Sequence, residues 1–270
     1  MSKLRILYVA SEINPFLQTS KVADFVRHLP QAMQERGMEI RILVPRFGTI
    51  NERKNRLHEV VRLSGINISI GDEEKPLVIK VASIPNAKLQ VYFIDNEDYF
   101  QRKSVFVDGD NNFYADNDER AIFFCKGALE TIKKLGWAPD IIHCNDWMTA
   151  LIPMYLKTTY KKDPTFAKTK CVFSVYNTFY SHTFGNDLIS KVKMIDIEDH
   201  MLDHLKTPNF QSLVKIGIQY ADAVIKGDEE YHDTIQALFS GAESDRMTDL
   251  LGMDAAISDS YYNLYNELVD

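Results

Sequence analysis

The chain has 270 residues and a formal net charge of −7, with 45% apolar and 26% charged side chains. This is the composition of an ordinary soluble globular protein, long enough to bury a sizeable core without disulfides. The acidic balance argues against a nucleic-acid backbone as partner, since phosphate binding draws on a surplus of Lys and Arg.

In chain order, residues 4–11 form a short apolar run that predicts a buried parallel strand. Residues 21–36 follow with Val22, Phe25, Val26, Leu29, Ala32 and Met33 at helical spacing, and Gly37 supplies a stop. Residues 39–45 predict a second strand ended by Pro45, so the first three elements make a βαβ unit. Residues 51–72 and 75–82 read as antiparallel hairpin material, and 89–95 as a further strand. Residues 117–135 predict a long helix, with Asp116 or Asn117 as N-cap and Gly136 as closing residue. Then come a strand at 140–143, a helix at 147–160, a strand at 170–175, a helix at 213–220 and a short strand at 223–225. Helices at 229–239 and 258–269 finish the series, the last rich in tyrosine. Residues 105–118 and 180–195 read as long loops. The alternation predicts an α/β fold: a doubly wound, Rossmann-like parallel sheet with helices on both faces, in one domain spanning residues 1–270.

Cys125, Cys144 and Cys171 are scattered and odd in number, with no Cys-x-x-Cys pair. This argues against a disulfide framework or a zinc site and fits a reducing cytoplasm. The opening Met-Ser-Lys-Leu-Arg runs directly into the first strand, too short an apolar run for a signal peptide. No stretch reaches membrane-span length, so no membrane partner is expected. Gly-x-Gly-x-x-Gly is absent after the first strand, as are a Walker loop, His-Glu-x-x-His and Gly-x-Ser-x-Gly. No cofactor and no metal are therefore expected.

In an open α/β sheet, ligands bind beyond the carboxyl ends of the strands. Residues 11–24, 143–147 and 176–182 each follow a predicted strand and can converge there. Each also has a purely structural reading. Asp146 can cap the helix that starts at Trp147, His143 can be a satisfied strand-end histidine, and Asp24 can be a solvated helix residue.

These segments resemble the bacterial glycogen and plant starch synthases that use ADP-glucose. The run Ser11-Glu12-Ile13-Asn14-Pro15-Phe16-Leu17-Gln18-Thr19-Ser20-Lys21-Val22-Ala23-Asp24 is similar to that family's Ser-Glu-x-x-Pro-Phe-x-Lys-Thr-Gly-Gly-Leu-Ala-Asp. Val44-Pro45-Arg46-Phe47-Gly48 and the helix start Asp116-Asn117-Asp118-Glu119-Arg120 also match. So do His143-Cys-Asn-Asp146-Trp147-Met-Thr-Ala150, the 173–180 run and the 215–222 run, all in the same order. The resemblance implies one half of a GT-B glycosyltransferase, the N-terminal type that handles the growing glucan and the outer face of the donor glucose. It implies catalytic positions at Asp24 and Asp146. Substrate-binding positions fall at Gln18, Thr19, Lys21, His143, Trp147, Tyr176, Asn177 and Tyr180. It also implies a metal-independent, retaining transfer.

The sequence departs from the family at the donor side. The family's Lys-Thr-Gly-Gly lets backbone N–H groups approach a phosphate at a helix start. Here its lysine is Gln18 and its glycines are Ser20 and Lys21. The family's histidine beside the transferred glucose is Tyr176, and its Val-Ser-Pro is Gly227-Asp228-Glu229. No second Rossmann pattern fits in residues 241–270, so an ADP-binding domain is expected to be missing. The 261–269 segment resembles the terminal helix that packs back on the N-terminal half. Three readings follow: a glucan-binding or regulatory relative inactive alone, half of a split glucosyltransferase completed by a partner chain, or a non-carbohydrate interaction module. Partners left open are a glucan or maltooligosaccharide, a partner chain or a homodimer, with ADP-glucose disfavoured.

Overall fold

The computed structural model describes residues 3–84, 87–240 and 246–270. Its strands are β1 (Arg5–Ala10), β2 (Glu39–Pro45), β3 (His58–Glu59), β4 (Ile66–Ile70) and β5 (Glu73–Ile84). They continue with β6 (Leu89–Asp95), β7 (Ile141–Asn145), β8 (Lys170–Val175), β9 (Ala223–Lys226) and β10 (Met247–Asp249). The sheet order is β10-β9-β8-β7-β1-β2-β6-β5-β3, with β4 pairing β5 to one side. From β10 to β6 every neighbouring pair is parallel, and β5 adds the antiparallel edge. The central strands are buried on both faces: from residue 6 onward β1 exposes nothing. That explains why its sequence is a continuous apolar run rather than an alternation. The order reverses between β1 and β7, the place at whose carboxyl ends open α/β sheets bind ligands.

The helix Val22–Glu35 lays Phe25, Val26, Leu29 and Met33 into the core, the stripe the sequence predicts. Gly37 adopts φ +91° just beyond it, which lets the chain turn straight into β2. The long helix Asn117–Leu135 also forms as expected, closed by left-handed Gly136. At its start the Asp116 side chain makes no cap; its carboxylate instead takes two hydrogen bonds from Arg102, at 2.8 and 2.5 Å.

Two expectations are corrected, and one strand was not foreseen. The helix predicted at 147–160 is a 3₁₀ turn, Trp147–Thr149, followed by a short helix, Ile152–Lys157. Both the amide and the hydroxyl of Thr149 bond back to the Asp146 carbonyl, which tightens the first turn. Pro153, which lacks an N–H, then starts the second piece. The helix predicted at 229–239 shrinks to Asp233–Gln236 plus a 3₁₀ turn, Ala237–Phe239. Residues before it are held against the end of β8, because the Tyr231 hydroxyl donates to the Val175 carbonyl at 2.9 Å and the His232 amide to Asn177 Oδ1 at 2.8 Å. The strand β10 was not legible: three residues, Met-Thr-Asp, carry no period.

The last helix, Ala255–Val269, is capped by Asp254, whose carboxylate accepts from the Ile257 amide at 2.9 Å. It buries Tyr261 and Tyr265 against the sheet, and the Arg36–Asp259 ion pair (2.5 Å) ties it to the first helix. Among the described residues, no helix is long and apolar enough to cross a membrane.

Candidate functional site

Four chain segments meet at the carboxyl ends of β1, β7, β8 and β9. The loop after β1 is organised by Glu12, which is 4% exposed. Its carboxylate accepts the Thr19 amide (2.5 Å), the Thr19 hydroxyl (2.8 Å) and the Ser20 hydroxyl. Ser20 Oγ in turn accepts the Val22 amide at 3.1 Å. A carboxylate therefore already occupies donors at this helix start, where an incoming anion would need them. Gln18 and Asn14 both donate to the Asp24 carboxylate, at 2.7 and 2.8 Å. Gln18 and Asp24 thus face one another, and Thr19 faces Glu12.

Lys21 reaches across the crevice and forms an ion pair with Asp228, at the end of β9. The other carboxylate oxygen of Asp228 accepts the Asn177 amide at 2.6 Å. Tyr176 is buried: its ring is edge-on to Phe25 and its hydroxyl lies 3.4 Å from Asn145 Oδ1. These residues line a cleft of about 540 Å³ whose other walls are Glu229, Glu230 and residues 250–253. Its lining carries three carboxylates and one ammonium.

Asp146 is the strained member of the group. Its backbone sits at φ 65°, ψ 173°, a region that residues with a side chain rarely occupy. It is held there because its amide donates to the Ser174 carbonyl at 3.0 Å while Thr149 binds its carbonyl. Burial pushes its carboxyl up to about 7, against the opposing pull of hydrogen bonds from the Trp147 amide and Thr178 hydroxyl. The charges of Glu12 and Asp228 add to the upward push. A buried carboxyl that can hold or lose its proton near neutrality can act as an acid or a base.

His143 and Trp147 lie beneath this surface. His143 is fully buried, and its two ring nitrogens are matched to the Tyr265 hydroxyl (2.6 Å) and the Ser174 hydroxyl (2.7 Å). Burial drives its pKa down to about 3, so it is neutral in the fold. Trp147 is 1% exposed and packs on Phe106, Phe210 and Tyr180. Tyr180, half-buried, lies 4.5 Å from Phe113, which also meets His182 at 5.2 Å. Both long loops therefore deliver aromatic rings to the same place.

The structure thus gathers Lys21, Tyr176 and Asn177 at the cleft, with Asp146 close by and Tyr180 on its aromatic flank. It turns Gln18, Thr19 and Asp24 onto partners within their own loop, and sinks His143 and Trp147 into the core. Glu12, Thr178 and the pairing role of Asp228 were not found from sequence. For Asp228 a signal existed: a charge had appeared at each of two positions, 21 and 228, where the resembled family has none. Among the described residues, no group of His, Cys, Asp and Glu is arranged to hold a metal ion.

The mostly parallel sheet, with its site at the strand-order reversal, is the architecture of GT-B glycosyltransferases. The catalytic domain of starch synthase IV from Arabidopsis thaliana, bound to ADP and acarbose, superposes with a TM-score of 0.76 at 19% identity, covering 93% of this chain and 52% of that one. At the sequence level, the family described as the starch synthase catalytic domain matches residues 5–249, and the chain belongs to that family. It is 38% identical over 270 residues to the glycogen synthase of Chlorobaculum parvum, covering 97% of this chain and 52% of the relative. It is 39% identical over 237 residues to that of Chlorobium luteolum, covering 86% and 48%. The chain therefore spans about half the length of the curated relatives it matches.

Proposed function

We propose that this chain forms the acceptor-side wall of an α-glucan-binding cleft and does not transfer glucose by itself, acting as a glucan-binding or regulatory relative of the glycogen and starch synthases. The observation that carries this reading is the Lys21–Asp228 ion pair spanning the crevice. It stands where the resembled enzymes offer bare backbone to a donor phosphate. The carboxylates of Asp228, Glu229 and Glu230 outnumber the single ammonium there and oppose a diphosphate. An uncharged sugar meets no such opposition, and the half-buried rings of Phe113, Tyr180 and His182 offer it stacking faces. Three free, buried thiols support a reducing, cytoplasmic setting.

Calorimetric titration with maltooligosaccharides and with ADP-glucose tests this. We expect saturable binding of the oligosaccharide and none of the sugar nucleotide. Absence of oligosaccharide binding at millimolar concentration sinks the glucan reading, and ADP-glucose turnover by the purified chain sinks the claim of inactivity.

A second reading takes the chain as half of a split glucosyltransferase, with another polypeptide supplying a nucleotide-binding half. Affinity capture from extract followed by a glucosyl-transfer assay tests it. Failure to recover a second glycosyltransferase chain counts against it.

A further inference from the structure

Away from the cleft, a recess of about 780 Å³ opens between the loop after β1 and the outer strands. One rim carries Lys54, Arg56 and His58, spaced two residues apart. The geometry is fixed by a tight turn. The Asn51 side chain accepts the Lys54 amide at 2.9 Å, and Arg56 takes a left-handed conformation, φ 54° and ψ 40°. The register of His58 opposite Val81 then begins β3. The far wall is Pro15 and Phe16, the latter anchored edge-on to Phe93 at 5.0 Å, together with Ala82 and Ser83 of β5.

Basic side chains gather in this recess. Acidic residues outnumber basic ones across the chain, 38 to 31. Among the described residues, no carboxylate lines the recess. Glu52, the acid in the same turn, is engaged by Arg46 and Lys80. Among the described residues, Lys54, Arg56 and His58 enter no ion pair. Two cationic side chains and an imidazole lining one recess without an internal anion suit a doubly charged, many-oxygen group, and a guanidinium fork adds bidentate geometry.

We propose that this recess binds a phosphate monoester of a small polyhydroxy molecule. Its phosphate sits on Lys54, Arg56 and His58, and its hydroxyls meet Asn55 and the Ser83 hydroxyl. A bare inorganic anion fills only a fraction of the volume, which is why an ester is assigned. The recess shares a loop with the cleft: Pro15 and Phe16 line one, and Lys21 closes the other.

The test is a phosphorus NMR and calorimetric titration of the full chain with a hexose monophosphate, the parent hexose and inorganic phosphate. It is repeated on Lys54→Gln/Arg56→Gln/His58→Gln and on Lys21→Gln as a cleft control. All four positions are exposed, and circular dichroism confirms that each variant is folded. We expect the ester to bind more tightly than inorganic phosphate and the hexose not to bind. The triple variant should lose about tenfold or more in affinity, and Lys21→Gln should keep it. No ester binding at millimolar concentration overturns the proposal. So does binding that survives in the triple variant or vanishes in Lys21→Gln. Because the readout is phosphate-dependent and the cleft reading concerns neutral glucan, either can fail without the other.

Discussion

The ring of Tyr176 lies over Gly227 so closely that a Cβ built on that glycine would stand 2.7 Å from the ring's Cε1. The two residues sit at the ends of adjacent strands, β8 and β9, and each departs from the resembled family's pattern. The larger ring at 176 is accommodated by the bare backbone at 227. Gly227→Ala should therefore destabilise the chain by about 1–3 kcal/mol through overpacking, read by urea denaturation. In a Tyr176→His background the same change should cost markedly less, and equal costs in both backgrounds would show that the two positions are uncoupled.

The ion pair between Lys21 and Asp228 makes a separate statement about charge. Lys21 is more than half exposed, so losing the pair should alter stability little, within about 1 kcal/mol. Asp228→Asn keeps an acceptor for the Asn177 amide while freeing Lys21 and removing one carboxylate from the cleft. ADP-glucose, measured calorimetrically, should bind more tightly to this variant than to the parent. An unchanged null result would mean that the ion pair is not the barrier.

The proton on Asp146 has a thermodynamic signature. Its pKa is about 7 in the fold against an ordinary value of 3.8, so the folded state holds the proton more tightly. The associated stability is complete below pH 3.8 and drains away as pH rises through 7, by an amount on the order of 4 kcal/mol. His143, whose pKa falls to about 3 on burial, acts in the opposite sense, losing stability as pH falls below its ordinary 6.5. The two windows overlap, so Asp146 is isolated by difference. Asp146→Asn should gain thermal stability relative to the parent as pH rises from 4 to 8. Parallel melting curves for the two proteins across that range would refute the assignment.

Tyr265→Phe removes one hydroxyl and strips two buried groups of their partner, Tyr8 Oη at 3.1 Å and His143 Nδ1 at 2.6 Å. A loss of about 1–3 kcal/mol is expected in chemical denaturation. The His143 ring nitrogen resonances should move in NMR spectra of the folded variant. A silent spectrum would place the hydroxyl elsewhere.

Much of this fold was legible because its central strands and two long helices repeat a simple period. β1 is apolar throughout, and Val22 to Met33 mark one helix face. What escaped was set by contacts distant in sequence. The 147–160 helix was divided by hydrogen bonds onto Asp146, whose backbone conformation no propensity foretells. The site was legible in outline only. Spacing along the chain placed Asp24, Asp146 and Asn177 near strand ends, but it could not show that Gln18 turns onto Asp24 or that His143 looks into the core. Glu12 was hidden for the same reason: a buried carboxylate holding a loop reads, in sequence, like any acid.

The hydroxyl contact between Tyr8 and Tyr265 spans 257 positions. During synthesis the first strand leaves the ribosome long before its tyrosine can meet that partner. Until residue 265 emerges, the polar groups of Tyr8 and His143 lack the bond that permits their burial. The innermost part of the sheet then closes only after residue 265 has emerged, as expected where contacts of high order complete a core. Nascent chains stalled short of that tyrosine should remain accessible at their central strand to solvent, to chaperones and to proteases.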